Sequence, residues 1–587
     1  MKNIIKLMLG LLLSITLFAS DVENIEVVKS AFKAMGAPNN PKVEMLWNRY
    51  YDNAQLGEIC KKIAKAYPKL AKYESIGKSY QNRDMHSLII TNFETGKAED
   101  KAGMYIDGNI HSNEIQGSEV SLYTAWYLTE NYENVDWIKN LLDNKVFYII
   151  PSINPDARDF YINEGNTAHS PRSGLIPRDD DGDGYINEDG YDDLDGDGHI
   201  VSMRKKDPNG RWKESKEIPG LMVPCKDDEV GEYQMLGSEG IDNDGDGRVN
   251  EDREGFYDPN RNWPWSWQPE YLQRGSDMYP LSIKENRIVA DYILSHSNIA
   301  GAQSYHNSGG MILRGPGEGK EPHNYHKDDI KYYDHVGRLG DKMLPGYDYL
   351  VLYKDLYRAV GGEVDFFYGL RGIFSFTNEL WTSLNYFGEK STGGGFFGRR
   401  EPVYKFNELL LFKEGIVPWK KINHPQYGEI EIGGPKKSWT RTAPSFMIEE
   451  MCHRNMAFTL FHAYNLPVVK FDEVSRKDIG GGLEQIDVIL KNDRTIPTRS
   501  HYEIEKKLTV PDFLEISSKD KNDIIAAMIV YDKYLNNTHE IVKQPSKVKI
   551  DKVDGMSTVH IRWIVKKGKK YSVKYISKKA IDLEKKI

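Results

Sequence analysis

The 587-residue chain predicts an α/β domain, in which a mixed β-sheet is flanked by helices, followed by a C-terminal all-β sandwich domain. Two observations carry this prediction. Up to about residue 470, short apolar runs alternate with segments of helical periodicity, which is typical of a layered α/β domain. Beyond that point the runs alternate apolar with polar residues and are separated by turns, as in antiparallel strands with one buried face. The length also favours two or more domains.

The first twenty residues predict a secretory signal peptide, residues 1–20. They combine a basic start at Lys2 and Lys6, an apolar run, and the small residues Ala19 and Ser20. The alternative is a membrane anchor, but the run is shorter than the about 20 apolar residues that a span needs. We therefore expect a secreted, periplasmic or cell-surface protein.

Residues 21–470 are predicted to form the first domain. Residues 21–75 have helical character, with Leu56, Ile59 and Ile63 on one face. Apolar runs then predict strands, and two longer periodic segments predict helices. The predicted strands are 87–92, 102–108, 145–155, 299–306 and 372–380, and the predicted helices are 118–132 and 446–467.

Residues 471–587 are predicted to form the sandwich domain. Alternating segments at 483–492, 506–516, 557–568 and 569–577 predict its strands. Residues 540–587 contain fourteen Lys and Arg against five Asp and Glu. These charges belong either to solvated sheet faces or to a surface that makes weak contact with an anionic cell surface.

Composition excludes several classes of protein. A formal net charge of −9 argues against nucleic acid as a partner. The three cysteines are too sparse for a disulfide scaffold or for a zinc site of four thiolates, so we expect buried, inert thiols. The chain has neither a G-x-S-x-G elbow nor an H-E-x-x-H helix, which leaves serine hydrolysis without support.

Three acidic loops repeat the pattern D-x-D-x-D-G within an insertion at about 179–252. The spacing lets successive carboxylates turn towards one hard cation, and the glycine permits the bend. The pattern therefore predicts structural calcium, the alternative being charged loops without a ligand. The candidate ligands are Asp179, Asp181 and Asp183, then Asp193, Asp195 and Asp197, then Asp242, Asp244 and Asp246.

A histidine and a glutamate stand three residues apart in GNIHSNEIQGSE, just after an apolar run. A catalytic zinc ion needs three protein ligands and one open position. A third candidate follows another apolar run, in GAQSYHNSGG. His111, Glu114 and His306 would thus supply two imidazoles and one carboxylate to a single zinc ion.

A base beside the metal is expected at Glu379, in GIFSFTNELW. This carboxylate ends a predicted buried strand, where an unpaired charge is costly. It is therefore either a functional carboxylate or one half of an ion pair in the core.

Five segments in order resemble the zinc metallocarboxypeptidases of the carboxypeptidase A/B type, over roughly residues 45–470. HSNE resembles the first zinc motif, H-x-x-E. SYHNSGG resembles the strand that carries the third ligand, and SFTNEL the strand that ends in the catalytic glutamate. PNRNW resembles the box that binds a terminal carboxylate, and YRAVGGEVDF the loop of a substrate-binding tyrosine.

The resemblance implies a zinc carboxypeptidase fold and a role for each matching residue. Zinc falls to the two histidines and the glutamate named above, and Glu379 becomes the general base. Asn260 and Arg261 would grip the substrate's terminal carboxylate, and Tyr357 would close over it. An arginine should stabilise the oxyanion. Arg204, in MRKKDP, is the preferred assignment and Arg172, in SPRSG, is the alternative.

Two departures from the family bear on specificity. Asn113 stands in the first motif where animal digestive members have arginine, which removes a positive charge near the substrate. Val364 matches the floor of the specificity pocket and would favour an apolar C-terminal side chain. Its neighbour Glu363 could instead favour a basic one, so both readings stay open.

The sequence thus predicts a secreted zinc carboxypeptidase that removes residues from peptides or proteins with a free C-terminus. A second reading keeps the chemistry but takes cell-wall peptides as substrates of a carboxypeptidase or amidase. The third is an inactive surface-binding module, which the presence of all three zinc ligands and Glu379 argues against.

Overall fold

A computed structural model describes residues 35–38, 40–164, 172–255, 257–319, 325–382 and 401–587. Val43–Ile587 forms one compact unit, and Met1–Lys42 is a second unit, of which only a few residues are described. The predicted signal peptide lies outside the described residues. Within those residues, every helix is too short or too polar to cross a membrane.

Helices and strands alternate up to residue 464, as predicted. The helices of the whole described chain are α1 (Asn53–Ala66), α2 (Gln116–Asn131), α3 (Asp136–Asn144), α4 (Pro155–Asn163), α5 (Lys284–Ser295), α6 (Lys327–Met343), α7 (Glu363–Arg371), α8 (Glu401–Leu410), α9 (Lys437–Thr440), α10 (Ile448–Tyr464) and α11 (His501–Lys506). The strands before residue 465 are β1 (Ala71–Lys78), β2 (Asp84–Ile90), β3 (Ala102–Gly108), β4 (Lys145–Ile150), β5 (Ser202–Lys206), β6 (Trp212–Glu214), β7 (Met222–Pro224), β8 (Tyr233–Ser238), β9 (Ile299–Asn307), β10 (Met311–Arg314), β11 (Asp348–Val351), β12 (Phe374–Leu380), β13 (Ile416–His424) and β14 (Gly428–Pro435).

The N-terminal segment is less helical than predicted. Helix α1 begins at a capping box, in which Asp52 and Gln55 each bond the other's main chain, and it buries the apolar face expected from its periodicity. The chain then turns, and residues 71–75 belong to strand β1, so the prediction of helix up to residue 75 is wrong there. Pro68 in this turn is incompatible with a continuous helix interior.

The main sheet has eight strands in the order β1-β2-β4-β3-β9-β12-β10-β11 and mixes parallel with antiparallel pairs. Its strands read as apolar runs because both faces are covered. Along β3, Met104 and Ile106 join the core beneath α1, α2 and α10, whereas Tyr105 joins the core beneath α5 and α7. The predicted mixed α/β fold is therefore confirmed.

Strands β3, β9 and β12 are neighbours and run parallel, which decides where the site forms. Asp107 pairs with Ser304, and Thr377 pairs with Ser304 from the other side. Two residues further on, Glu379 pairs with His306. Because all three strands end at one edge of the sheet, the residues that follow them meet there.

A second sheet combines four strands from the acidic insertion with β13 and β14, which follow much later in the chain. Its six strands lie in the order β13-β14-β5-β8-β6-β7, and neighbouring strands are antiparallel. A small apolar core, including Met203, Ile430 and Ile432, holds β5 to β14. The acidic loops extend from this sheet.

The C-terminal part is all-β except for α11. Its strands are β15 (Val469–Gly480), β16 (Leu483–Asn492), β17 (Asp512–Ser517), β18 (Ile524–Asp532), β19 (Asn537–Glu540), β20 (Lys547–Ile550), β21 (Ser557–Lys566), β22 (Ser572–Ile576) and β23 (Leu583–Lys586). They form two antiparallel sheets, β15-β16-β21-β18-β19 and β20-β17-β22-β23, around one core that includes Trp563 and Tyr575. The three cysteines are unpaired and buried.

Helix α11 joins this β part to the main sheet's helices. Buried Asp329 on α6 accepts hydrogen bonds from the main-chain N–H groups of His501 and Tyr502, at 2.9 and 3.0 Å. The ring of Tyr502 lies 4.9 Å from that of Tyr368 on α7. The C-terminal part therefore braces α7, the helix that begins at Glu363.

Candidate metal centre and substrate cleft

The loop after β3 places the first two candidate ligands. Asn109 adopts a positive φ of 60°, and its side-chain amide donates to the carbonyls of His111 and Ser112. Gly108 and Gly117 are required because a Cβ on Gly108 would lie 2.6 Å from the carbonyl carbon of Gly117. This close contact lets helix α2 begin directly against the strand ends.

The three predicted ligands converge in a buried cluster. His111 Nδ1 lies 3.0 Å from Glu114 Oε1, and His306 Nδ1 lies 2.8 Å from Glu114 Oε2. The two Nδ1 atoms are 3.3 Å apart, and each residue is 2% exposed. Burial opposes the charge on Glu114, but the two imidazoles hold its pKa well below the usual range.

The donor set suits a zinc ion. Two imidazole nitrogens and a carboxylate are the ligands of many catalytic zinc sites, which leave the fourth position to water or substrate. The candidate ligand atoms lie within 4.8 Å of one another, so one ion can reach them all.

Asp258 orients His111 and was not found from the sequence. Its Oδ1 lies 2.9 Å from His111 Nε2, on the far side of the ring from Glu114. Burial opposes its charge, yet His111 and Arg261 hold the pKa of Asp258 well below the usual range. A metal-binding histidine commonly bonds a carboxylate through its other nitrogen. The signal was available, since Asp258 immediately precedes the PNRNW box.

Glu379 lies at the end of β12 beside His306, its partner in the parallel register. Burial and the nearby Glu114 carboxylate raise the pKa of Glu379 to about 7, against the opposing effects of His306, Arg441 and Arg172. A carboxyl group with a pKa near neutrality can both take and return a proton.

Arg204, the preferred oxyanion residue, lies in the second sheet and has no contact with the three candidate ligands among the described residues. It stands on β5, where its guanidinium pairs with Glu431 at 2.7 Å and Glu214 at 3.3 Å. It also stacks between Tyr233 and Trp419. This placement does not support the oxyanion role that the resemblance of the MRKK segment implies.

Arg172, the alternative, lies at the candidate metal centre. Its NH1 is 3.3 Å from Glu114 Oε1 and its NH2 is 3.3 Å from His111 Nδ1. It therefore presents a guanidinium beside the cluster, where charge develops during acyl transfer.

The residues predicted to bind a terminal carboxylate form the adjoining wall. The Asn260 side chain accepts a hydrogen bond from the main-chain N–H of Glu363 at 2.9 Å. The Arg261 guanidinium lies 5.9 Å from the ring of Tyr357, which is 40% exposed. Val364, the predicted pocket floor, is buried in the first turn of α7. Asn260 thus contacts the first residue of α7, and Arg261 lies near Tyr357.

Two buried acids meet at Ser304, of which the sequence analysis named Glu363 and missed Asp107. Ser304 Oγ is 2.6 Å from Asp107 Oδ1 and 3.0 Å from Glu363 Oε2. Asp107 and Ser304 lie on the same sheet face as His306, and Ser304 precedes His306 by two residues in β9. Burial and the charge of Asp107 raise the pKa of Glu363 well above its usual range.

The acidic loops have one common local structure. In each, the first aspartate accepts from the main-chain N–H groups of both glycines, as Asp179 does from Gly182 and Gly184. The same contacts occur at Asp193 and Asp242. The carboxylates of Asp181, Asp244 and Asp246 from two loops approach one another, whereas Asp195 and Asp197 pair with Lys420.

Comparison with known proteins identifies the family. A family model described as zinc carboxypeptidase matches residues 56–392, more than half of the chain. This protein therefore belongs to the zinc carboxypeptidase family. A second model, a domain of unknown function, matches residues 468–587.

Several individual relatives share part of the chain. Carboxypeptidase B of Astacus astacus is 26% identical over 185 residues, which are 31% of this chain and 51% of that protein. Carboxypeptidase Z of Mus musculus is 31% identical over 120 residues, 20% of this chain and 18% of that protein. The matches span about half or less of these relatives. Among solved structures, thrombin activatable fibrinolysis inhibitor has 16% identity and a TM-score of 0.42, over 71% of this chain and 74% of that one.

Replacing each of the two arginines by glutamine tests which of them stabilises the oxyanion. We expect Arg172→Gln to reduce kcat for peptide hydrolysis by about 10²–10³-fold, the usual loss for one oxyanion donor. Arg204→Gln should lower the melting temperature, because it leaves Glu431 in a partly buried pair without its partner, and should change kcat little. Steady-state kinetics and calorimetry of both variants measure this, and the opposite assignment of effects would restore Arg204.

Proposed function

We propose that this protein is a secreted zinc carboxypeptidase, which hydrolyses the C-terminal peptide bond of peptides or proteins. The observation that carries the proposal is the convergence of His111, Glu114 and His306 beside Glu379 at one edge of the sheet. Membership of the zinc carboxypeptidase family supports the same chemistry. Secretion rests on the N-terminal sequence pattern alone.

Each group near the cluster has a distinct task in this proposal. Zinc, when bound, would supply a Lewis acid and a water of lowered pKa. Glu379 takes the proton from the attacking water and delivers it to the leaving amine. Arg172 donates to the oxygen that becomes negative. Asn260 and Arg261 hold the free carboxylate, for which a planar guanidinium is a matched partner.

Tyr357 is proposed to close over the bound C-terminus. Its ring is substantially exposed and lies near Arg261, so a modest movement would bring its hydroxyl to the same carboxylate. Closure would exclude water from the reacting bond.

A pair of peptides that differ only at the C-terminus tests the activity. We expect release of single C-terminal residues from the free acid and none from the amide, because Arg261 needs a carboxylate partner. A zinc chelator should abolish release. Glu379→Gln should still bind zinc but lose kcat by about 10²–10⁴-fold. Hydrolysis of the amide, or wild-type turnover by Glu379→Gln, would contradict the proposal.

We also propose that the terminal side chain is preferentially basic. The main-chain N–H of Glu363 donates to Asn260, and the Glu363 side chain contacts Ser304 together with Asp107. The pair would therefore offer one buried negative charge, on Asp107, to a substrate side chain that reached it. Val364 alone would have favoured an apolar side chain. An amine or guanidinium that reached the pair would relieve an otherwise unfavourable buried charge.

The matched variant for this preference is Asp107→Asn, which keeps the shape of the side chain and removes the charge of the pair. For substrates ending in lysine or arginine we expect kcat/KM to fall about 10- to 100-fold, since a hydrogen bond to a charged group contributes about 1.5–3 kcal/mol. Substrates ending in leucine should be unaffected and serve as the control. An equal loss on both kinds would mean that Asp107 supports the fold only.

Protein tails and cell-wall peptides remain alternative substrates, because Arg261 recognises a free carboxylate in either. The basic residues near the C-terminus support cell-surface contact only weakly. Lys547, Lys549, Lys552 and Lys574, for example, each pair with a carboxylate, which reduces the free positive charge.

We propose a structural role for calcium at the first and third acidic loops. Asp181 and Asp244 come from different loops, yet a carboxylate oxygen of each lies within 4.8 Å of the other in a cluster that could hold a metal ion. Desolvation raises the pKa of Glu188 and of Glu251 to about 7, and the charges of neighbouring carboxylates act in the same direction. A divalent cation would relieve this repulsion between carboxylates. The second loop, paired with Lys420, fits the alternative of a charged loop without a ligand.

Calcium should therefore raise the melting temperature of the zinc-loaded protein, with a stabilisation of about 2.7 kcal/mol at 100 times Kd. Asp244→Asn should remove this increment and leave the zinc content unchanged. A melting temperature that does not respond to calcium or to a calcium chelator would exclude the proposal.

A further inference from the structure

A segment beyond the family match returns to the candidate metal centre. After β13 and β14 the chain forms α9 and then runs past Gln116, the first residue of α2. The Gln116 side chain donates to the carbonyl of Arg441 at 3.4 Å and accepts from the N–H of Ala443 at 2.6 Å. Residues 441–443 are thus attached to the helix that follows Glu114, although the family match ends at residue 392.

The side chain of Arg441 contacts both segments that carry the candidate ligands. Its NH2 lies 3.2 Å from Glu114 Oε1 and also donates to the main-chain carbonyl of Asn307, the residue after His306. In return, the Asn307 side-chain amide donates to the Arg441 carbonyl at 3.2 Å. Main chain and side chain of one residue therefore bridge the loop of Glu114 and the end of β9.

A guanidinium suits this position better than any other side chain. Glu114 is buried, and its Oε2 already accepts from the N–H of Asn307 at 3.2 Å while facing His306. A carboxylate in such a site keeps one orientation only if its other oxygen is also held. Both contacts come from one nitrogen of the arginine fork, NH2, which is directed at that oxygen and at the Asn307 carbonyl. The planar guanidinium fixes the directions of its N–H bonds, whereas the ammonium of lysine is a single charge that turns freely.

We propose that Arg441 is a positioning residue for the metal centre, which fixes the Glu114 carboxylate relative to His306. The proposal deepens the zinc site of the proposed function and rests on it. Arg441 acts through Glu114 and Asn307. Arg172, in contrast, approaches the same carboxylate from the side of His111 and Asp258.

The decisive variant is Arg441→Lys, which keeps the positive charge and removes the fork. We expect its zinc affinity to fall about 10- to 100-fold, as is usual when a partner of a metal ligand is replaced. Competition with a chromophoric chelator measures this affinity without any substrate. Arg454→Lys on α10, where the arginine pairs with exposed Glu450, is the matched control and should bind zinc as the wild type does.

A second variant tests the route of the effect. Gln116→Met removes the two hydrogen bonds that Gln116 makes with residues 441–443 and touches no candidate ligand. We expect it to weaken zinc binding in the same direction, and the double variant with Arg441→Lys to lose little more than Arg441→Lys alone, because both act through one contact. Melting of the metal-free variants establishes that each is folded.

Two results would overturn the proposal. One is wild-type zinc affinity in folded Arg441→Lys. The other is wild-type zinc affinity with a raised KM at saturating zinc, which would make Arg441 a substrate contact. The failure of this proposal can be told apart from the failure of the proposed function. A wild type that binds zinc but releases no C-terminal residue would refute that function, and the zinc affinities of the variants could still be compared.

Discussion

The buried carboxylate of Glu114 is the interaction on which the rest of the site depends. It faces His111 through one oxygen and His306 through the other; His111 follows β3, whereas His306 stands near the end of β9. A charge in such a place is tolerated only when it is fully compensated. The parallel register of β3, β9 and β12 makes this compensation geometrically available, because it delivers both imidazoles and Glu379 to one edge.

Groups of opposite charge alternate around Glu114. Asp258 lies behind His111, and Arg172 and Arg261 approach Asp258 in turn. Arg441 approaches from the other side, next to Asn307. The buried carboxyls of Asp107 and Glu363 both contact Ser304, two residues before His306 in β9.

Segments outside the main sheet contribute to the candidate site or support it. The second sheet holds Arg204 beside Glu431, and the chain that leaves β14 brings Arg441 to Glu114. The C-terminal part contacts α7 through Tyr502, whose main-chain N–H donates to Asp329 on α6. Because α7 begins at Glu363, the position of Glu363 depends on packing contributed more than a hundred residues later in the chain.

Local pattern by itself determined the apolar strands, the main helices, the expected ligands, the acidic loops and the family resemblance, since each is encoded in neighbouring residues. The helix predicted to residue 75 failed because Pro68 and the sheet edge overrode local periodicity. Only the tertiary structure placed Arg172 beside the cluster and Arg204 in the second sheet, and only it revealed Asp258, the Asp107–Glu363 pair and Arg441. The reason is physical: these residues act by proximity across long stretches of chain, and distance in space is set by strand order and packing, which no single segment contains.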